Sequence, residues 1–266
     1  MKTILTLTGP LAILLYGFIY VPIIIVLVFS FNSARDGMLW QGFSIHWYRE
    51  IFTNDLMLAA MGRSFFLAIA STLIATVIGT LLGYGLSRYR FPGKRLFDGF
   101  LHVPLFVPDI VLGVAILLFY SFIRAKLDIL ALGMTTMVLA HVTFQIPFVA
   151  IIVRARLKIW DDSLEEAAAV MGASPAQRYR KITLPLLIPG IIAGGLMAFT
   201  LSLDDFVVSY FTASPEAPTM PIVIYNTVKE GITAEVNALS AILIIATTIS
   251  VISITLLQRA RKLLPD

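Results

Sequence analysis

The chain has 266 residues, of which 58% are hydrophobic and only 14% are charged, whereas a soluble domain carries about a quarter charged residues. It contains no cysteine, which excludes disulfides and cysteine-based zinc or redox sites. The net charge of +4 is modest, and in so apolar a chain it indicates basic residues in cytoplasmic loops rather than nucleic-acid binding. The composition predicts an all-α membrane protein with one transmembrane domain over residues 1–266.

Six apolar stretches are long enough to cross roughly 30 Å of hydrocarbon as helices. They lie near residues 8–31, 64–87, 99–123, 131–153, 186–210 and 238–258. The first is longer than the core of a signal peptide and contains Pro10 and Pro22, so we expect it to be retained as a first span. Prolines or carboxylates interrupt the third and fifth stretches.

Basic residues divide unevenly between the two sides of the membrane that these spans define. Most of the 20 lysines and arginines fall before span one, between spans two and three, between spans four and five, or after span six. Because cytoplasmic loops carry the excess of Lys and Arg, both termini and the loop at about 154–185 are predicted to be cytoplasmic. The long connections at 32–62 and 212–237 are then outside.

The two outer loops carry different local signals. Aromatic residues in the first, from Phe31 to Tyr48, are individually typical of an interfacial belt, and residues 40–58 are expected to form a helix along the outer surface. In the second loop, Pro215, Pro218 and Pro221 argue against a helix in the first half. A short helix is expected at 221–231.

Pairs of glycines four residues apart occur in spans two and five. They are Gly79 with Gly83 and Gly190 with Gly194. Small residues at this spacing let membrane helices approach closely, because lipid supplies no hydrophobic force to hold helices together. Glycine is common in membrane helices, so chance remains an alternative, but a close helix contact is favoured for span five.

The connection between spans four and five contains two helix-start signals in tandem. Ser163 and Glu166 have the spacing of a capping box, after which three alanines propagate a helix at little cost. Gly172 can adopt the left-handed conformation that ends such a helix. A second capping box follows, with Ser174 as cap, Pro175 at the first helical position and Gln177 at the third. The pattern predicts a short helix, a tight turn and another short helix.

Three carboxylates, Asp109, Asp204 and Asp205, lie inside predicted spans, where charge is costly and marks functional candidates. At 1.5 Å per residue along a continuous helix from residue 99, Asp109 would lie about 15 Å deep, near mid-membrane. The Asp204–Asp205 pair would lie about 27 Å from residue 186, near the outer interface. Adjacent side chains on a helix point about 100° apart, so one of the pair should face a central pathway.

These carboxylates suit a cationic solute, because no lysine or arginine accompanies them inside the spans. The rings of Trp47 and Tyr210 could add cation–π attraction. Structural alternatives remain open: a solvated helix end for the Asp204–Asp205 pair, and a satisfied hydrogen bond or a neutral carboxylic acid for Asp109.

Enzyme motifs are missing from the sequence. It has no H-E-x-x-H, G-x-S-x-G or G-x4-G-K-[ST] pattern, so no catalytic residue, metal or cofactor is expected. His46, His102 and His141 are scattered and are interpreted as polar anchors. A six-span channel is a competing class, although no filter sequence is present. An intramembrane protease would need a Ser/His or paired-Asp arrangement at matched depth, which is also absent.

The loop between spans four and five resembles a known signature, the cytoplasmic E-A-A-x3-G-x9-I-x-L-P loop of permease subunits in binding-protein-dependent ABC importers. The matching residues are Glu166, Ala167, Ala168, Gly172, Ile182, Leu184 and Pro185. The F-N-x7-W-x-G-F-S-x2-W-Y pattern at 31–48, Pro-Asp at 108–109 and S-L-D-D at 202–205 resemble the polyamine (spermidine/putrescine) branch of these permeases. The alternative is an ordinary amphipathic connector between two membrane helices.

The resemblance implies the permease fold of type I ABC importers and a multi-pass location in the bacterial cytoplasmic membrane. It also implies three protein partners: a second homologous permease subunit, a dimer of ATP-binding subunits that carries out ATP hydrolysis, and an extracellular solute-binding protein. The seven signature residues would couple the permease to the ATPase, and the solute would be a polyamine. A permease for another solute, such as a sugar, an amino acid or ferric iron, stays open because the coupling loop does not separate these classes.

Overall fold

The computed structural model describes residues 2–35, 39–159, 163–231 and 233–262. Helices form nearly all of this part of the chain, and one isolated antiparallel bridge joins Asn32 to Phe43. The helices are α1 Lys2–Phe29, α2 His46–Thr53, α3 Asp55–Arg88, α4 Lys94–Phe106, α5 Asp109–Leu127, α6 Met134–Lys158, α7 Ser163–Val170, α8 Pro175–Arg178, α9 Leu184–Leu203, α10 Val207–Thr212, α11 Met220–Glu230 and α12 Ala234–Lys262. A π-helical turn, Tyr179–Thr183, joins α8 to α9.

Six helical segments within the described residues are long and apolar enough to cross a membrane. They are Leu11–Phe29, Asp55–Arg88, Asp109–Leu127, Met134–Lys158, Pro175–Leu203 and Ala234–Ile252. The predicted number of spans and the all-α class are therefore confirmed. The bounds of the third and fifth spans differ from the prediction, and both differences affect the carboxylates.

The third span begins at Asp109, so the prediction of one continuous helix over 99–123 is wrong. Helix α4 ends at Phe106, and Val107 and Pro108 have extended backbone, with ψ of 127° and 138°. Proline disfavours the helical region for the residue before it and has no N–H to continue the ladder of hydrogen bonds. Asp109 is consequently the first residue of its span, and its depth is no longer given by counting from residue 99.

The fifth span is longer at its start and shorter at its end than predicted. Helix α8, the π-helical turn and α9 follow one another without a break, so the second short helix of the predicted pair is the start of the span itself. At the other end α9 stops at Leu203, and Asp204–Phe206 separate it from α10. Asp204 and Asp205 therefore lie in an interruption rather than on one helix.

The chain divides into two compact units, one formed by Met1–Ala60 with Met220–Ala246 and the other by Met61–Thr219 with Thr247–Asp266. In the first unit, Asn32 organises the loop after α1. Its side-chain oxygen accepts from the amides of Ala34 and Gln41 at 3.3 and 3.0 Å, and its side-chain amide donates to the carbonyl of Leu39 at 2.7 Å. The indole N–H of Trp47 donates to the Asn32 carbonyl at 2.9 Å. The aromatic loop is thus folded around a buried asparagine.

The helix predicted at 40–58 is wrong in its bounds. Helix α2 covers only His46–Thr53, and the extended Asn54 ends it. The Asn54 side-chain oxygen accepts from the amides of Leu56 and Met57, so it caps the next helix. Helix α11, Met220–Glu230, confirms the predicted helix near 221–231, and the stretch before it from Ala213 is not helical, as the prolines indicated.

In the second unit, α3, α6 and α9 approach one another closely at glycines. A Cβ atom on Gly79 would lie 2.7 Å from Cβ of Val149, and one on Gly83 would lie 2.7 Å from the carbonyl oxygen of Ala150. A Cβ on Gly194 would lie 3.2 Å from Val149 Cγ1. The helix contact favoured for span five is therefore confirmed, and the glycine pair in span two, for which chance was left open, also marks a helix contact.

Candidate functional site

The two interrupted spans bring three carboxylates to one cavity. Asp109 at the start of α5 and Asp204 and Asp205 after α9 line a cavity of about 370 Å³ in the second unit. Most of its other walls are apolar, including the rings of Phe148 and Phe206. All three carboxylates were singled out from the sequence, but their convergence depends on breaks that the sequence interpretation placed differently.

The carboxylates of Asp109 and Asp204 are both exposed in the second unit. Within the described part of the chain, the Asp204 carboxylate accepts from its own backbone amide, and no other residue donates to it or to Asp109, although each carboxylate has two oxygen acceptors. Their acceptor capacity is therefore available to a solute in the cavity.

Asp205 differs from its neighbour because its oxygens are already bonded. Oδ1 accepts from the Val208 amide at 3.3 Å and Oδ2 from the Ser209 amide at 2.8 Å, which caps α10. Oδ2 also lies 3.3 Å from Nε2 of His141, and the Asp205 side chain is only 11% exposed. These contacts give Asp205 a structural role in the wall of the cavity.

His141 is the centre of a buried polar network that the sequence analysis did not predict. Its Nδ1 lies 2.7 Å from the Ser202 hydroxyl and its Nε2 lies 2.9 Å from the Ser209 hydroxyl. The network continues through Ser71, whose hydroxyl contacts that of Ser202 and accepts from the side-chain amide of Gln145. His141 is the polar anchor expected from the sequence. The spacing of four between His141 and Gln145, which puts both on one face of α6, was the available signal.

The two aromatic candidates do not line the cavity. Trp47 belongs to the first unit and is buried there, with its indole bonded to Asn32. Tyr210 is 47% exposed on α10, and its ring centroid lies 5.3 Å from that of Phe206, which does line the cavity. Tyr210 is thus adjacent to the cavity through Phe206.

A tight turn follows α7, as the sequence predicted. Gly172 has φ of +84°, and the amides of Gly172 and Ala173 donate to the carbonyls of Ala169 and Ala168 at 3.0 Å. These are the two hydrogen bonds of a Schellman motif, which requires a left-handed residue at this position. The second capping box is also confirmed, because Ser174 and Gln177 each bond the other's backbone amide through their side chains.

The first capping box stays a prediction: its expected cap, Ser163, is the first residue of α7, and residues 160–162 before it lie outside the described residues. The signature residues divide into three groups. Glu166 and Ala167 are exposed on α7, while Leu184 and Pro185 begin α9. Ala168, Gly172 and Ile182 line one shallow groove together. Met171, which also lines this groove, is 87% exposed, and its neighbour Val170 is 90% exposed.

Comparison with known proteins extends this picture. The profile of the family described as "Binding-protein-dependent transport system inner membrane component" matches residues 75–262. The chain is 41% identical over 253 residues to the spermidine/putrescine transport system permease protein PotC of Escherichia coli K12, covering 95% of this chain and 94% of the relative. It is 38% identical to the putrescine transport system permease protein PotI of the same strain, covering 95% and 92%.

Solved structures show the same fold at low sequence identity. A bacterial ABC transporter involved in alginate import matches with a TM-score of 0.74 and 16% identity, covering 99% of this chain and 97% of that one. The MetNI methionine ABC transporter, in an inward-facing conformation, matches with a TM-score of 0.65 and 21% identity, covering 78% and 98%. The fold is that of ABC importer permeases. With a matching profile over most of its length and close relatives over nearly all of it, the chain belongs to the family of binding-protein-dependent transport system inner membrane components.

Proposed function

We propose that this chain is the permease subunit of an ATP-driven importer that carries polyamines, spermidine or putrescine, into the bacterial cytoplasm. The similarity to PotC and PotI over nearly the whole chain supports the solute class. The single structural observation that carries the proposal is the cavity, where the carboxylates of Asp109 and Asp204 lie among apolar walls and accept from no other described residue. An acceptor-only, anionic lining is the chemistry that a chain of ammonium groups requires.

Two weak carboxylate contacts fit transport better than one strong site. An ammonium group loses its hydration on entering the membrane, a cost that only a paired charge offsets. Asp109 and Asp204 would each receive one ammonium group, and the ring of Phe206, with Tyr210 behind it, would add cation–π attraction of about 0.5–2 kcal/mol. Since Trp47 is buried, we assign it to holding the outer loop in shape. Asp205 would hold the cavity wall in place.

The proposed assembly contains this subunit, a second homologous permease, two ATP-binding subunits and an extracellular solute-binding protein. ATP hydrolysis occurs on the ATP-binding subunits, and this chain is a single permease domain with both termini in the cytoplasm. The exposed Val170 and Met171 and the groove at Gly172 would form the ATPase contact, with Glu166 and Ala167 beside them. Ile182, Leu184 and Pro185 would carry the movement into the fifth span, since Pro175–Leu203 is one uninterrupted segment.

Reconstitution tests this function directly. The chain is assembled in liposomes with its companion permease, ATP-binding subunits and solute-binding protein, and ATP-dependent uptake of radiolabelled putrescine and spermidine is measured. We expect polyamine uptake that is absent without ATP. Uptake of trehalose or an amino acid in place of polyamines would show that the proposed solute is wrong.

A further inference from the structure

The helix that precedes the Gly172 turn is tied to two spans through one carboxylate oxygen. Oε1 of Glu165 accepts from the hydroxyl of Thr183 at 2.5 Å and lies 3.4 Å from Nη2 of Arg88. Thr183 ends the π-helical turn at the base of the fifth span and is fully buried. Arg88 is the last residue of α3, the second span. Three separate elements therefore meet at Glu165.

Glu165 and Glu166 face different ways although they are neighbours on α7. Side chains one residue apart on a helix point about 100° apart. Glu166, which belongs to the coupling signature, is exposed. The side chain of Glu165 is only 19% exposed, and that of Arg88 is 20% exposed. The Glu165 carboxylate thus makes charge-assisted contacts with Arg88 and Thr183 where water is partly excluded. Such contacts are stronger there than in water.

A second contact joins the two spans without α7. The ring of Tyr84 on α3 meets the ring of Tyr179 in the π-helical turn edge-to-face, with centroids 5.2 Å apart. If Glu165 were removed, α3 and the base of the fifth span would remain in contact through these rings. The specific effect of Glu165 is therefore to add α7 to a pair of spans that already pack together.

We propose that Glu165 is a positioning residue that transmits displacement of α7 to the second and fifth spans together. This inference rests on the proposed function, because it assumes that an ATP-binding subunit moves the Gly172 turn. When α7 shifts, the shared oxygen carries Arg88 and Thr183 with it, so the end of α3 and the base of α9 move as one body. Without the tie, α7 moves and the spans lag behind.

The test is the number of polyamine molecules imported per ATP hydrolysed in liposomes that contain the complete importer. Glu165→Gln keeps the side-chain shape and removes the charge. We expect ATP hydrolysis to continue while uptake per ATP falls about tenfold, the size expected for loss of one charge-assisted hydrogen bond. Thr183→Val removes the hydroxyl, which contacts Glu165 and also lies 3.5 Å from the Arg178 carbonyl, but leaves the Glu165–Arg88 pair, so it should give a smaller fall. The exchange Arg88→Glu with Glu165→Arg should recover part of the ratio.

Asp98→Asn is the matched control. Asp98 on α4 pairs with Arg154 on α6 at 2.6 Å, with side chains 31% and 21% exposed, so it is another partly buried carboxylate–arginine pair in the same unit. It does not involve α7, and its loss should leave uptake per ATP at the wild-type value.

Two results would overturn the role of Glu165. One is an unchanged ratio in Glu165→Gln, and the other is an equal fall in Glu165→Gln and Asp98→Asn, which would indicate a general packing defect. If Glu165→Gln fails to assemble, Thr183→Val decides the question by the same measurement. If the wild-type importer carries a different solute, the proposed solute is wrong, and the ratio measured with that solute still decides the role of Glu165.

Discussion

The oxygens of the three cavity carboxylates have different partners, so their substitution should have different consequences. Within the described part of the chain, no other residue donates to Asp109 or Asp204, whereas Asp205 caps α10 and contacts His141. Sequence position alone did not distinguish Asp204 from Asp205. The distinction arises from His141, which is distant in the sequence and is brought to Asp205 by the packing of α6 against α10.

We expect Asp109→Asn and Asp204→Asn each to lower polyamine uptake about tenfold or more without changing thermal stability. The reason is that each removes one charged partner of an ammonium group, a contact of about 1.5–3 kcal/mol, and no hydrogen bond to another described residue. Initial uptake rates and the unfolding temperature of the purified importer measure the two effects. Glu216→Gln, an exposed carboxylate in the loop after α10, is the control. Wild-type uptake by both cavity variants would mean that the solute does not use these carboxylates.

Asp205→Ala, unlike the Asp109 and Asp204 variants, should clearly lower thermal stability. Removal of a helix cap costs about 0.5–2 kcal/mol, and the buried His141 loses a polar neighbour in addition. We expect the unfolding temperature to fall by several degrees relative to Asp204→Ala, measured by the same thermal unfolding experiment. If the two variants unfold at the same temperature, Asp205 does not stabilise the fold as a helix cap.

At the scale of helices, the turn and cap that depend on neighbouring residues could be predicted from the sequence, whereas the positions of the breaks within spans could not. The Gly172 turn and the Ser174–Gln177 capping box depend on residues within one helical turn, and the structure has both as expected. The breaks before Asp109 and after Leu203 were placed wrongly. Pro104 and Pro189 lie inside helices while Pro108 precedes one, so the presence of a proline did not decide where a helix ends.

The conformation of Gly172 gives a prediction about coupling. A Cβ atom on Gly172 would meet nothing within 4 Å, but the φ of +84° at this residue is unfavourable for a β-branched side chain. Gly172→Val should strain the turn and lower uptake per ATP several-fold, whereas Gly172→Asn, which tolerates left-handed backbone, should retain most of it. Normal coupling in Gly172→Val would show that the left-handed turn is not required.

At the scale of the whole molecule, the uneven distribution of basic residues predicts sidedness. Because the chain has no cysteine, single introduced cysteines report position without background. Gln41→Cys and Glu216→Cys should react with an impermeant thiol reagent added outside intact cells, and Met171→Cys only in inside-out vesicles. All three wild-type residues are exposed. Labelling of Met171→Cys in intact cells would reverse the proposed orientation.

The π-helical turn at Tyr179–Thr183 determines the direction in which the Gly172 turn faces relative to the fifth span. A π-helical turn holds one residue more than the regular helix around it, and one residue corresponds to about 100° of rotation. The number of residues in this turn therefore sets how α8 is rotated about the helix axis relative to α9. Deleting one residue there other than Ile182 would keep every signature residue in the sequence but turn Met171 to a different direction relative to the fifth span, so in this segment the number of residues matters as much as their identity.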